Sequence, residues 1–111
     1  MGISNPSSLA EALNRLWSQF LPQIEERVST LESAAAALAE VSLTPAQCEE
    51  ASSAAHKLAG VLGTFGLDQG TELAREAESL YASGPSSPFL LNGRPAALAS
   101  ELRAILAKRG N

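Results

Sequence analysis

The chain has 111 residues, of which 45% are hydrophobic and 18% are charged. This length suits one domain with a single modest core, and the apolar fraction is too high for a disordered chain. Twenty residues are alanine and seventeen are leucine, whereas valine and isoleucine together number six. Because strands favour β-branched and aromatic side chains, this composition predicts a helical protein.

The charge balance excludes several classes of partner. Twelve acidic residues against eight basic ones give a formal net charge of −4. The sequence lacks the stripe of basic residues that is typical of nucleic-acid-binding proteins. The negative net charge also disfavours binding to anionic membrane surfaces. No apolar run is long enough to span a bilayer, and the N-terminus lacks the basic and apolar regions of a secretory signal. A single cysteine cannot form an internal disulfide, so we expect a cytoplasmic protein. One Cys and one His are too few ligands for a structural metal ion, so we expect no metal site.

The first predicted element is a long N-terminal helix. Residues 1–6 are expected to form a flexible tail, followed by a polar cap and an early proline. Apolar residues then recur every three or four positions from Leu9 to Leu38, which is the period of a helix. Pro22 falls inside this pattern without changing its phase. The segment is therefore either one helix kinked near Pro22 or a short helix running directly into a long one.

The next two predicted helices form a hairpin. Thr44 followed by Pro45 supplies an N-cap and a first helical residue, and the apolar spacing extends this helix to about Phe65. A tight turn follows, with Gly66 ending one helix and Asp68 expected to cap the next. The third helix then continues to the glycine at position 84.

The last part of the chain predicts a loop and a fourth helix. Residues 84–93 are rich in glycine, proline and serine, and their apolar stretch 89–91 is expected to cover one end of the core. Pro95 opens a helix with an apolar face, and basic residues lie at its end. The sequence therefore predicts an all-α fold, an antiparallel four-helix bundle forming one domain over residues 1–111.

The chain has one histidine, His56, in the second predicted helix. On a helical wheel its side chain lies about 140° from the centre of the apolar stripe, so it is expected to face solvent. Its neighbours on that face are small, and two of them are glycines, each of which costs a helix about 1 kcal/mol relative to alanine. Such a surface gives another macromolecule access to the ring. The candidate partner-docking residues are Ser52, Ser53, Ala59, Gly60 and Gly63.

Glu78 is the second candidate site residue. His56 lies eleven residues before Leu67 and Glu78 eleven residues after it, so both lie at the same height in an antiparallel hairpin centred on Leu67. A carboxylate that accepts the Nδ1 hydrogen of an imidazole fixes the tautomer and leaves Nε2 as the nucleophile. The alternative is a solvated glutamate, paired with Arg75 or with nothing.

Lys57 is a third candidate, because an ammonium group beside the ring would stabilise a phosphoryl group there. The alternative is a solvated lysine, since adjacent helical residues diverge by about 100°. No glycine-rich phosphate loop or nucleophile elbow is present, so the chain is not expected to be a self-contained enzyme. An exposed imidazole without a binding pocket indicates instead a carrier that takes a phosphoryl group from one partner and gives it to another.

The segment from Ala55 to Leu67 resembles the signature of histidine-containing phosphotransfer (HPt) domains, and the similarity continues through Leu73 and Ala77. It includes the Gly-Thr-Phe-Gly sequence shared with the phosphotransfer domain of the chemotaxis kinase. In that group a glutamate twenty-two positions after the histidine belongs to the active-site network, and Glu78 occupies this position. The family often has lysine three positions after the histidine, where this chain has Ala59.

The resemblance implies that His56 is the phosphoacceptor in a phosphorelay, with receiver domains of response regulators or a histidine kinase as partners. The partner receiver would supply Mg²⁺, so this chain is expected to hold no cofactor, metal or small-molecule substrate of its own. Two alternatives remain open. The chain could be a docking adaptor that carries no phosphate, or the phosphotransfer domain of a larger histidine kinase.

Overall fold

The structure, a computed structural model, describes residues 6–110 of the chain. The expected tail over residues 1–6 lies outside this range except for its last residue, which begins the first helix. Four α-helices and one short 3₁₀ helix make up the described part of the chain. They are α1 (Pro6–Ala39), α2 (Pro45–Thr64), α3 (Asp68–Ala82), the 3₁₀ helix Pro88–Asn92 and α4 (Arg94–Gly110).

The predicted antiparallel bundle is confirmed. Helix α1 contacts α2 and α4, and α3 contacts the same two helices, so the four form a closed arrangement. At one end the Trp17 ring of α1 lies edge-on to the Phe65 ring after α2, with 5.2 Å between ring centroids. The guanidinium of Arg109 in α4 lies 5.0 Å above the same indole. The start of α1 therefore meets the ends of α2 and α4.

Helix α1 is one continuous helix that includes Pro22, so the alternative of two separate helices is wrong. Pro22 is exposed and lies off the apolar stripe, where the ring displaces no core side chain. Trp17 is buried at 3% exposure, whereas the apolar Leu9 and Phe20 nearby are 60% and 40% exposed. The core thus uses less of the first turns of α1 than the apolar period predicts.

The boundaries of α2 follow from its caps. Thr44 Oγ1 accepts a hydrogen bond from the Gln47 backbone N, and the Gln47 side chain accepts one from the Thr44 backbone N. This capping box adds a second bond to the predicted Thr44 cap. At the other end Gly66 has φ +73°, and the backbone N of Leu67 donates to the Leu62 carbonyl at 2.9 Å. This arrangement is a Schellman motif, which requires the left-handed conformation that glycine adopts without strain.

Two expectations for the connections are wrong. Asp68 is the first residue of α3 and not its cap, because the Schellman motif brings Leu67 to the capping position without a side-chain bond. Only Leu90 of the stretch 89–91 is buried, whereas Phe89 and Leu91 are 62% and 77% exposed. The 3₁₀ helix directs the side chain of Leu90 into the core, and those of Phe89 and Leu91 face solvent.

The centre of the hairpin is tightly packed. A Cβ built on Gly70 of α3 would lie 2.9 Å from Cδ1 of Leu62 in α2, so any side chain there would force Leu62 to shift. The α2 face towards the core consists of small residues and two leucines, Leu58 and Leu62, both fully buried. This close approach positions the exposed faces of α2 and α3 side by side. None of the helices within residues 6–110 is long and apolar enough to cross a membrane.

Candidate functional site

The site is built on the outer face of the α2–α3 hairpin. His56 lies in the middle of α2 with its side chain 73% exposed, as the helical wheel predicts. Its Nδ1 lies 2.9 Å from Oε2 of Glu78 in α3, whose side chain is 34% exposed. The predicted contact between these two residues is therefore confirmed. The alternative pairing of Glu78 with Arg75 is absent from the described ion pairs.

The contact determines the chemistry of the imidazole. An ionised carboxylate only accepts hydrogen bonds, so Nδ1 of His56 must carry the hydrogen. In a neutral ring the lone pair is then on Nε2, which has no hydrogen-bond partner within residues 6–110. A carboxylate at Nδ1 also stabilises positive charge that develops on the ring when Nε2 attacks an electrophile. The arrangement is that of an activated and accessible nitrogen nucleophile.

A groove of about 630 Å³ adjoins the imidazole. It lies between the start of α2 and the end of α3, and its lining includes His56, Glu78, Cys48, Tyr81 and Pro85. Sequence reasoning did not find this groove, because it depends on the course of the chain after α3. The groove opens beside the ring and gives a partner a concave surface next to the nucleophile.

The other two reactive side chains of the groove are not nucleophiles. Burial raises the pKa of the Cys48 thiol above its ordinary value, so the thiol is protonated at neutral pH. Burial, with a smaller contribution from Cys48, raises the pKa of Tyr81 to about 12. His56 is therefore the reactive group of this face.

The small residues around His56 divide into two sets. Ser53, Gly60 and Gly63 are exposed, as predicted, whereas Ser52 is half-buried. A Cβ built on Gly60 would have no atom within 4 Å, so the packing of this chain does not require a glycine there. At Gly63 the same Cβ would lie 3.4 Å from Oγ1 of Thr71. Gly60 is thus the position whose small size is left unexplained by the fold.

Ala59 corrects one prediction. It was expected on the exposed face, but it is only 7% exposed, and its carbonyl accepts a hydrogen bond from Thr71 Oγ1 at 3.1 Å. The helical wheel assumed a single inward direction, whereas α2 contacts α1 on one side and α3 on the other. Helix α3 covers the flank of α2 that carries Ala59, so this residue does not belong to an exposed docking surface.

Lys57 is exposed and makes no ion pair with any residue in the described range. Its position beside His56 leaves its ammonium group available to a partner, and its role stays a prediction. Within residues 6–110 no three metal-binding side chains are grouped together. Sequence reasoning missed Thr71 at this site, and it assigned Ser52 to docking without foreseeing that both hydroxyl groups bond across the hairpin.

Comparisons with known proteins show the family of the chain. The chain is 39% identical to Protein RcaC of Microchaete diplosiphon over 66 residues, which is 60% of this chain and 10% of the relative. The chain thus spans about a tenth of the length of the curated relative that it matches. No solved structure matches the chain. The family model of the Hpt domain matches residues 15–108, which include α2, α3, most of α1 and α4, and both partners of the His56–Glu78 contact, so the chain belongs to the Hpt domain family and has a histidine phosphotransfer function in phosphorelay.

Proposed function

We propose that this chain is a phosphorelay carrier in which Nε2 of His56 is the phosphoacceptor. The observation that supports this most directly is the exposed imidazole with its Nδ1 bonded to Glu78 at 2.9 Å. The donor is a receiver domain phosphorylated on aspartate, or a histidine kinase. The acceptor is the aspartate of another receiver domain.

The transfer step follows from the orientation of the ring. The Nε2 lone pair of His56 attacks the phosphorus of the aspartyl phosphate, an N–P bond forms, and the bond from phosphorus to the aspartyl oxygen breaks. The aspartate leaves as a carboxylate, and the hydrogen on Nδ1 stays in its bond to Glu78. The positive charge that develops on the ring lies beside the Glu78 carboxylate and is stabilised by it. In the reverse reaction the phosphoryl group passes from Nε2 of His56 to the aspartate of the next receiver.

The chain supplies the nucleophile and a docking surface, and it is not a self-contained catalyst. Ser53, Gly60 and Gly63 form the exposed small surface on which a receiver approaches the ring, and Lys57 lies next to it. Any Mg²⁺ that the reaction needs is bound by the acidic pocket of the receiver. We place this exchange in the cytoplasm, because Cys48 is a free thiol and free thiols are typical of reducing compartments.

A transfer experiment tests the proposal. The chain is incubated with a receiver domain carrying radiolabelled phosphate, and the label on each protein is followed with time. We expect label on this chain that is labile in acid and stable in base, which is the behaviour of phosphohistidine, and no label on His56→Gln. A chain that binds the receiver but takes no label would be a docking adaptor, and the proposal would then be wrong.

A further inference from the structure

We propose that Ser52 and Thr71 are positioning residues of the phosphotransfer site, whose hydroxyl groups fix α3 against α2 at the height where Glu78 meets His56. This inference rests on the proposed function, since it concerns the residues that orient its nucleophile. Among the described residues, neither hydroxyl group makes a hydrogen bond to the ring. Each acts through the backbone of the opposite helix.

Ser52 connects α2 to the residue that orients the imidazole. Its Oγ donates a hydrogen bond to the backbone carbonyl of Glu78 at 3.2 Å. Ser52 lies four residues before His56, one helical turn along the same face of α2. Glu78 is therefore held to α2 twice, through its backbone by Ser52 and through its carboxylate by His56.

Thr71 makes the matching contact from the other side. Its Oγ1 donates to the backbone carbonyl of Ala59 at 3.1 Å. Ala59 lies seven residues after Ser52, and Thr71 lies seven residues before Glu78, so both bonds belong to one antiparallel register. The two bonds lie one turn to either side of His56, and a slide of α3 along α2 would break both.

These two bonds differ from the hydrogen bonds that Thr30 and Thr64 donate. In the described part of the chain, the hydroxyl groups of Thr30 and Thr64 each donate to the carbonyl four residues earlier in their own helix, and neither bonds to another helix. Ser52 and Thr71 are half-buried, so little water competes for their hydrogen bonds. The helices approach closely at this level, because a Cβ at position 63 would lie only 3.4 Å from Oγ1 of Thr71. The hydroxyl groups of Ser52 and Thr71 thus determine the register of α3 along α2 beside His56.

The register matters because the Glu78 carboxylate must reach Nδ1. A displacement of α3 by a fraction of the 1.5 Å rise per residue would lengthen the 2.9 Å contact beyond hydrogen-bond distance. The ring would then be free to adopt the other tautomer, in which Nε2 carries the hydrogen and cannot attack. Loss of the two hydroxyl groups should therefore change the tautomer of His56.

The test compares Ser52→Ala, Thr71→Val and the double variant with the wild-type chain. His56 is the only histidine, so the ¹⁵N chemical shifts of its two ring nitrogens report the tautomer without overlap. We expect the wild-type ring to carry its hydrogen on Nδ1, and the double variant to shift towards Nε2–H. The rate of phosphoryl transfer from a phosphorylated receiver should fall at least about threefold, and less than the roughly hundredfold that a misplacement of about 1 Å can cost.

Two controls separate positioning from a merely structural role. Thr30→Val removes a hydroxyl group whose described hydrogen bond lies within α1, so it should change neither the tautomer nor the rate. Ser52→Thr keeps a hydroxyl group and should retain the wild-type tautomer. The proposal is overturned if a folded Ser52→Ala or double variant keeps the wild-type tautomer and rate. If the wild-type chain takes no label at all, the proposed function fails, and the ring shifts alone decide whether Ser52 and Thr71 set the tautomer.

Discussion

His56 and Glu78 lie eleven residues on either side of Leu67, and their side chains meet at 2.9 Å across the hairpin. The Schellman motif at Gly66 closes the turn without an extra residue, and the Ser52 bond to the Glu78 carbonyl places the Glu78 backbone beside Ser52, about one turn before His56. The Glu78 side chain therefore reaches along the helices to the ring. A longer turn would move Glu78 relative to the ring. The length of the turn is thus part of the site.

The exposure of His56 predicts that its function and the stability of the fold can be separated. The side chain is 73% exposed, and its one hydrogen-bond partner within residues 6–110 is Glu78. We expect His56→Gln to abolish phosphorylation and to change the free energy of unfolding by no more than about 0.5 kcal/mol. Urea denaturation and the transfer assay measure the two quantities. A strongly destabilised variant would mean that the ring supports the core.

Glu78→Ala should slow transfer without abolishing it, because the nucleophile remains and only its orientation is lost. The matched control is Glu72→Ala, which removes an exposed carboxylate of the same helix that makes no described ion pair. Glu76 would be a poor control, because its carboxylate accepts from Nη2 of Arg94 at 2.8 Å. Equal transfer rates for the Glu78 and Glu72 variants would show that the contact does not assist the reaction.

The sequence predicted the site better than it predicted the edges of the bundle. The Glu78 contact needed only the turn and the helical period, both of which are local. The burial of Ala59 could not be predicted from one wheel, because it depends on which neighbour covers that flank of α2. The exposure of Phe89 likewise depends on how much space the bundle leaves at its end.

Gly60 and Gly70 should respond in opposite ways to the same substitution. A Cβ at Gly60 meets no atom within 4 Å, so Gly60→Ala should stabilise the fold by about 1 kcal/mol through helix propensity. A Cβ at Gly70 would lie 2.9 Å from Cδ1 of the fully buried Leu62, so Gly70→Ala should destabilise it, since overpacking costs about 1–3 kcal/mol. Thermal unfolding of both variants measures the difference. Stabilisation by Gly70→Ala would show that Leu62 repacks freely.

The larger variant Gly60→Gln tests the docking surface. Its side chain extends from open space beside the ring, so the fold should keep its stability while a receiver loses its close approach. We expect slower transfer from a phosphorylated receiver, together with weaker binding of that receiver in a titration. A matched control is Ala36→Gln on the exposed surface of α1, which should leave both unchanged. Normal transfer by Gly60→Gln would exclude this position from the docking surface.

The ion pair between Glu32 of α1 and Arg103 of α4 predicts a pH-dependent part of the stability. The hydrogen bond from Arg103 lowers the pKa of Glu32 below its ordinary value of 4.5, partial burial opposes this, and the arginine charge adds to it. The fold therefore favours the carboxylate, so the stabilisation is present above pH 4.5 and is lost as the pH falls through the lowered pKa.

We expect Arg103→Gln to lose less than about 1 kcal/mol of unfolding free energy at neutral pH, because both side chains are more than a third exposed. Arg103 also lies 3.8 Å from Oε2 of Glu25, so once both carboxylates are protonated in acid the difference from wild type should shrink to the part contributed by the Arg103–Ser29 bond. Urea denaturation at several pH values measures it, with exposed Arg75→Gln as the control that should show no such trend. If the difference in unfolding free energy between wild type and Arg103→Gln stays the same at every pH down to acid, Arg103 stabilises the bundle by packing and by its bond to Ser29. The Glu32 charge would then make no contribution.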